Sequence, residues 1–498
     1  MVNLNTSLFT GFSGVQAAQN GLNITGNNIA NVNTPGYSRQ RADIISRGII
    51  TSAGITHGHG ADVRSVMSLR DNLANQFLTE QEGRHAYQQQ LAAGLNEMEG
   101  IIAETDQTGI AQSMQQFFDT LERATLRPAD IGTRQELLGV AEKMTSEIHI
   151  RDSNLTDHQN LTNNDLADLV EQVNDITARI DDLNRKIASA VQPAHNLIDD
   201  RYAEINKLSK IVGVETFELD NRMVQVNLAG PNVILVGREL RNELGVSPNS
   251  ANSGFYDITH KTKGSTTVVT DQIVSGEIGA KVRLRDEEIQ GFRDDLDALA
   301  AGMIIAFNNV HDAGFDLNGN TNLRFFDPLN SAVLGPNPVG TQDPTRYQGM
   351  AANISLSSQL IDPLNPGAGY DPSRIALSGS GAEGNNENGL ALTQLKHTAG
   401  LIDLDRDGDA TNDGSETFQE FYGGVLSGMG RTVRNANDGL DTQIALLEQA
   451  QVRREQVSGV SLDEEAIQLS QFQRAFEASS RFLNVINQLS AEILNRLG

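Results

Sequence analysis

The sequence predicts a multidomain α+β protein with discontinuous, nested domains. Paired coiled-coil-like helices would sit at the two ends, with a long-helix bundle between them and β-rich inserts beyond. Three observations carry this expectation. Both ends of the chain repeat apolar residues at heptad spacing, the middle holds longer heptad runs, and two internal stretches lose the helical period.

The C-terminal repeat is the clearest. Sevens from Leu462 give Leu469, Phe476, Leu483, Ser490 and Leu497, and a companion row gives Phe472, Ser479, Ile486 and Ile493. A seam of period ~3.5 belongs to a helix that lies along other helices. At ~1.5 Å per residue it would run for roughly 50 Å and needs a partner from elsewhere in the chain. The N-terminus offers one. Leu8, Val15, Leu22 and Ile29 form one row of an uncharged helix over 4–33, and Gly11, Ala18, Thr25 and Val32 form a second row of mostly small residues. Pro35-Gly36 then fits the centre of a type II turn, Pro setting φ and Gly accepting φ > 0.

From 43 to 66 the chain is Gly- and Thr-rich and alternating, which predicts extended structure. Helical pattern returns at Leu69 and runs to Met98, and a second helix covers 110–126, stopping before Pro128. A third begins near Thr133. It either continues into or is followed by the heptad Leu166, Leu169, Val173, Ile176, Ile180, Leu183, Ile187, which Pro193 ends. After a helix over 196–210 the period changes to two, with strands expected at 224–228, 233–236, 255–258 and 266–270. Helix resumes over 285–311. Seven of the twelve prolines lie between Pro328 and Pro372, which marks a loop-rich insert. Helices return at 390–397 and 418–456, and Gly459 precedes the last one.

These shifts divide the chain into four units: a terminal helical layer (1–66 with 457–498), a helical bundle (67–212 with 272–315 and 385–456), a small β-rich element (213–271) and an outer insert of loops and strands (316–384). If the end helices pair, everything between is chain that leaves and returns.

Composition narrows the function. A formal net charge of -26 excludes a phosphate-binding groove and opposes docking on anionic membranes, so neither nucleic acid nor membrane is an expected partner. With no cysteine there is no disulfide framework. No apolar run approaches the ~18 residues of a membrane span. The first charged residue is Arg39, so the N-terminus lacks the basic start of a secretory signal. Composition alone therefore points to the cytoplasm.

Few residues suggest site chemistry. Asp403, Asp405, Asp407 and Asp409 alternate like the first half of a calcium loop, but Gly414 stands where the bidentate Glu belongs. Calcium is thus the one candidate ligand, and no cofactor is otherwise expected. Asp316, Asn318 and Asn320 share the alternation, with an Asn-Gly pair that reads as a hairpin turn. Gly379, Gly381 and Gly384 match a dinucleotide fingerprint that lacks its following helix. His57, His59 and Asp62 read as an exposed glycine-rich turn. Glu464-Glu465 and Asp181-Asp182 are adjacent on helices and do not share a face. No convergent catalytic set occurs, so an enzyme is not expected.

The chain ends carry a resemblance. Asn27 to Tyr37, including Asn31, Thr34, Pro35, Gly36 and Tyr37, resembles the N-terminal signature of bacterial flagellar axial proteins, the family of rod, hook and hook-associated subunits. Leu462-Asp463-Glu464-Glu465 and Gln471 to Ala478 are similar to the C-terminal signature of its junction-forming branch, and Asn196 to Arg201, Ser275 to Ala280, Ala306 to His311 and Gly314 to Asn320 agree. The 321–384 insert and the 403–413 loop depart from it. The resemblance implies a structural subunit that joins hook to filament. Such a subunit is exported unfolded without a cleaved signal peptide, after meeting a flagellar export chaperone, and ends outside the cell on the flagellum. It would self-assemble into a helical or tubular layer, with hook protein on one side and a second junction protein on the other. Leu8, Val15, Leu22 and Ile29 with Leu469, Phe472, Phe476, Leu483, Ile486, Ile493 and Leu497 would form the assembly seam. The alternatives are another axial subunit (hook, distal rod or second junction protein) and a secreted calcium-binding adhesin.

Overall fold

A computed structural model describes residues 2–52, 55–104, 108–230, 233–327, 347–382, 384–402 and 415–497. Helix α1 (Val2–Ala30) leads into an antiparallel hairpin. Strands β1 (Gln40–Ser46) and β4 (Ala61–Ser68) pair at its base, and β2 (Ile49–Ser52) and β3 (Ile55–Gly58) extend it outward. Four helices follow: α2 (Asn72–Ile102), α3 (Ile110–Leu126), α4 (Ile131–Ser189) and α5 (His195–Ile211). Asp130 caps α4, its carboxylate accepting from Gly132 N at 2.8 Å. No proline falls between Pro128 and Pro193, so the third helix and the heptad are one element of 59 residues.

Two three-stranded antiparallel sheets come next. The first comprises β5 (Val214–Glu218), β6 (Val224–Leu228) and β7 (Ile234–Val236), and the second β8 (Glu243–Pro248), β9 (Tyr256–Lys261) and β10 (Thr266–Val268). The period-two reading found β6, β7, β9 and β10 but not β5 or β8. Glu215 and Glu218 in the one, and Gly245 and Pro248 in the other, are poor strand formers. The helix expected from 285 starts earlier. Helix α6 (Gly276–Arg283) continues through a π-helical turn (Leu284–Ile289) into α7 (Gln290–His311). After β11 (Phe326–Asp327), α8 (Met350–Asn353), β12 (Ser355–Leu356) and α9 (Glu387–Gln394), the long α10 (Phe418–Ser458) starts in a capping box between Thr417 and Glu420. Helix α11 (Leu462–Leu497) closes the chain.

Apolar residues gather in two cores. One joins α2, α3, the first half of α4, α7 and α10 around Phe117, Phe118, Phe307, Phe325 and Phe326, with Phe325 and Phe326 edge-to-face at 4.8 Å. The 316–384 segment was expected to be an outer insert. Its described residues Tyr347, Met350, Leu356, Leu360, Ile375 and Leu377 instead complete this core, because short elements and turns have too little apolar surface to form one of their own. Arg134 of α4 pins that segment from beneath. It is fully buried and donates to Pro128 O (2.5 Å), Ile375 O (2.7 Å) and Pro372 O (3.1 Å). The second core joins Leu166 to Ile180 of α4, α5, both sheets and Ile278 of α6. The β-rich stretch is therefore built on the second half of α4 rather than being a unit of its own.

At 316–320 the expected turn forms, with Gly319 at φ +78° and its N–H donating to Asp316 O at 3.2 Å, but no strands flank it to make a hairpin. The buried Asp316 carboxylate accepts from Asn318 N (2.8 Å), Asn320 N (2.7 Å) and Asn320 Nδ2 (2.8 Å), so the segment closes on itself around one side chain. The 379–384 glycines likewise open no phosphate cradle, since Asn385 Oδ1 accepts from Gly379 N at 2.6 Å.

His311 lies at the centre of the first core. Its Nδ1 faces Leu323 O at 2.5 Å and its Nε2 accepts from Ala376 N at 2.8 Å, which sets a neutral ring with the proton on Nδ1. Burial pushes its pKa down to about 4, with Arg134 adding to the effect. The unfolded chain takes up that proton near pH ~6.5, so it binds more protons than the fold between ~6.5 and ~4. Asp297, pushed up to about 6 by burial, works in the opposite sense. Urea titrations of wild type and His311→Gln isolate the histidine. Wild type should lose stability relative to the variant as pH falls from ~6.5 to ~4, by on the order of 3 kcal/mol. Equal pH slopes for the two proteins would contradict this assignment.

Candidate assembly interface

The two ends of the chain meet. Helices α1 and α11 run antiparallel: Gly11 faces Leu483, Gly14 faces Ser479, Gly21 faces Phe472, and Asn28 bonds Glu465. A Cβ on Gly21 would fall 2.5 Å from the Phe472 ring, and one on Gly11 2.8 Å from Leu483. Close approach of the helix axes thus requires the small row. Gly11, Ala18, Gly21 and Thr25 are buried, whereas Leu8, Val15, Leu22 and Ile29 are only half-buried. This reverses the expected α1 seam. The larger side chains flank the contact because the backbones are too close to leave room between them.

On α11, Phe472, Ser479 and Leu483 of the expected rows lie against α1. Leu469, Phe472, Phe476 and Leu483 are half-buried and Ile486 is buried. Ile493 is 43 % exposed because α1, running the other way, starts at Val2 and stops short of it. Leu462 is also exposed, at the far end, and the side chain of Leu497 lies outside the described residues.

A polar hub locks the other end of this pair. Asn28 is buried and fully bonded. Its Nδ2 donates to Gln40 O (2.8 Å) and Glu465 Oε2 (3.1 Å), and its Oδ1 accepts from Tyr37 Oη (2.9 Å) and Gln40 N (3.0 Å). The turn that brings Tyr37 there is the expected one: Gly36 has φ +83° and Tyr37 N donates to Thr34 O at 3.2 Å. Asn31 Oδ1 accepts from Thr34 Oγ1 (3.1 Å), and Pro35 stands exposed at the corner. Burial, then Asp199 and Glu465, push the Tyr37 hydroxyl up to about 12, so it stays neutral and donating.

Arg39 closes the hub. Its Nε donates to Glu465 Oε1 at 2.6 Å and its Nη1 to Glu464, while its N–H reaches Ser458 O at 3.0 Å. Glu464, Glu465 and the exposed Asp463 make an acidic first turn on α11, which suits the helix dipole. Arg454 of α10 donates to Tyr37 O (3.0 Å), and Arg70 bonds Asp199 of α5 while lying 5.0 Å over the Tyr202 ring. Between these groups lies a cleft of about 810 Å³. Arg70 and Arg454 were not singled out from the sequence, whereas Asn28, Tyr37, Asp199, Glu464 and Glu465 lie in the stretches that carried the resemblance.

Outward from this contact the pair is bare. Phe9 and Phe12 on α1, and Phe482, Val485, Leu489 and Ile493 on α11, are large apolar side chains exposed toward the same end of the layer. Their spacing of three and four residues makes a continuous α11 stripe. The candidate calcium residues Asp403, Asp405, Asp407 and Asp409 lie outside the described residues. Among the described residues no cluster of three or more metal-ligating side chains occurs, and no helix is long and apolar enough to cross a membrane.

The chain is thus nested, its ends pairing through small residues and leaving an open apolar stripe, and comparison with known proteins finds its likeness among structural subunits of the bacterial flagellum. Family models match in three places: flagella basal body rod protein over 8–37, the helical domain of flagellar hook-associated protein FlgK over 95–326, and the C-terminal region of flagellar basal body rod FlgEFG protein over 454–497. Over nearly its whole length the chain is similar to flagellar hook-associated protein 1 sequences. It is 25 % identical to the flagellar hook-associated protein 1 of Escherichia coli, over 97 % of this chain and 98 % of that one. It is 26 % identical to that of Bacillus subtilis, over 99 % of each. The flagellar hook junction protein FlgK of Burkholderia pseudomallei shares the fold, with a TM-score of 0.64 at 16 % identity, covering 77 % of this chain and 100 % of that one.

The α1–α11 pairing can be tested directly in a chain without cysteine. A Cβ at Gly14 would lie 3.4 Å from Ser479 Cβ, close to the ~3.5–4.5 Å span of a disulfide. Gly14→Cys combined with Ser479→Cys should oxidise to an intramolecular crosslink, seen as a shift on a non-reducing gel, while either single variant should not shift.

Proposed function

We propose that the protein joins the flagellar hook to the filament by forming a short tubular layer, with the α1–α11 pair as its inner wall. The terminal layer (1–66 with 457–498) would make the tube, and the bundle, β-rich and 316–384 segments would stand outside it. The observation that carries this reading is the uncovered stripe Phe482, Val485, Leu489 and Ile493 beside Phe9 and Phe12. An exposed apolar face of this kind marks a site for another chain. A second copy is the natural occupant, because one-sided, head-to-tail contacts generate helical assemblies.

Hook protein on one side and a second junction protein on the other are the proposed neighbours, in keeping with the names of the relatives. Before assembly the chain would travel with a flagellar export chaperone and leave the cell without a cleaved signal peptide. Its role is structural, with no catalytic step. The half-buried seam supports a second point: a two-helix layer has no core of its own, and short of its neighbours it should open easily.

Two measurements test the reading. Deleting the gene should leave hooks intact while filament monomers are shed into the medium, and Leu483→Asp should do the same with the helical bundle still folded. Normal filaments on either strain would refute the assignment. In the isolated monomer, amide exchange across α1 and α11 should be faster than across α4 and α7 by at least tenfold, on the order of 1.4 kcal/mol of local stability. Equal protection would mean that the pair is rigid before assembly.

A further inference from the structure

The two apolar cores do not merge. Between Leu155, in the first core, and Leu166, in the second, α4 turns inward Gln159, Thr162 and Asn163, all buried and polar, with buried Asp152 one turn before. Opposite them lies the π-helical turn Leu284–Ile289. A π turn shifts one residue around the helix and leaves carbonyls poorly served by the helix's own N–H groups. Both effects are used here. The carbonyl of Arg285 accepts from Gln159 Nε2 at 2.8 Å, and the Arg285 side chain is turned fully inward.

From there one chain of hydrogen bonds crosses the waist. Arg285 Nη1 donates to Asn163 Oδ1 (2.8 Å) and to Tyr256 O on β9 (2.9 Å), and its Nε and Nη2 grip Asp286 at 2.7 Å each. Asn163 Oδ1 also accepts from Tyr256 N (2.8 Å), and Asp286 accepts from Asn252 (3.0 Å) in the β8–β9 turn. On the bundle side, Gln159 Oε1 accepts from Arg293 Nη1 (2.9 Å), and Arg293 Nε donates to Asp152 Oδ1 (2.9 Å). The β-rich lobe meets α2 through polar groups as well: Thr79 to Asn206 (2.7 Å), Ser209 to Thr79 O (2.5 Å) and Gln76 to Thr216 O (2.9 Å).

We propose that the π turn and its Arg285 network are a latch that sets the angle of the β-rich lobe on the helical bundle. Apolar packing tolerates sliding, whereas a buried guanidinium must keep its partners. Another angle would take Tyr256 away from Arg285 Nη1 and from Asn163 Oδ1, leaving a buried donor and a buried acceptor each short of a partner, so only one orientation satisfies both. A continuous α-helix over 276–311 could not supply the same contact, since removing the extra residue would rotate Arg285 by ~100° away from Asn163. The latch is a stiff joint between the two cores that α4 spans.

The absence of cysteine allows spin labels to be placed cleanly at Ser146→Cys on α4 and Thr267→Cys on β10, both exposed. Electron–electron double resonance on the full chain should give one narrow distance. Arg285→Met should widen that distribution by roughly a factor of two or add a second peak, because the lobe is then free to re-orient. Gln159→Met, which keeps Arg285 but breaks its bond to the bundle, should widen it less. Circular dichroism should be unchanged in both. A single narrow distance in both variants would overturn the proposal. So would loss of the β signal, which would make Arg285 part of the lobe's core rather than a joint.

Discussion

The structure depends on Asn28 and what it holds. One side chain carries four hydrogen bonds that tie the end of α1 to the first residue of β1, to the turn through Tyr37 and to Glu465 at the start of α11. Residues more than four hundred apart in sequence become neighbours there. Because Asn28 and Glu465 are both buried, each needs the other: an unpaired carboxylate or amide at this depth costs several kcal/mol, on the order of ~3–5 for a broken buried ion pair. Arg39 supplies the compensating charge. Every domain between is inserted into a chain whose two ends are joined at this point.

Past the hub the character of the contact changes. Toward the N-terminus of α1 the pair is held by glycine and alanine against Phe472, Ser479 and Leu483, a close but shallow contact. The bulky residues are displaced to the flanks and outer face. A protein built to be stable alone would cover Phe482, Val485 and Leu489. In this chain they stay open. The polar, firmly bonded part of the pair and its uncovered apolar part are thus separated along the two helices.

The middle follows another logic. Long helices pass without a break from one core to the other, yet the seam between the cores is polar. Arg134 and Arg285, the two largest fully buried side chains, stand at the places where a separate piece of chain must be held to α4. One pins the 316–384 segment to the bundle and the other faces the β-rich lobe. In each case a guanidinium reads backbone carbonyls, which fixes orientation in a way that aliphatic packing does not.

What the sequence by itself determined is the order and kind of the long helices and of most strands, though not β5 or β8, and the heptad patterns at the two ends. Heptad spacing, Pro128, Pro193, Pro35-Gly36 and Gly459 are local signals, and local geometry obeys them. The motif Asn31 to Tyr37 was legible for the same reason, since a turn is decided by its own residues. The tertiary structure decided which face of α1 is inside, because whether a row of leucines or a row of glycines is buried depends on how near the partner helix comes. It also decided that the described part of the 316–384 segment joins the main core and that Arg39, Asp199 and Arg454 converge on one cleft. Those outcomes rest on contacts between distant residues, and no spacing along the chain records them. The shift of Arg285 into the waist is of the same kind: one extra residue in a helical turn is invisible in a pattern and decisive in space.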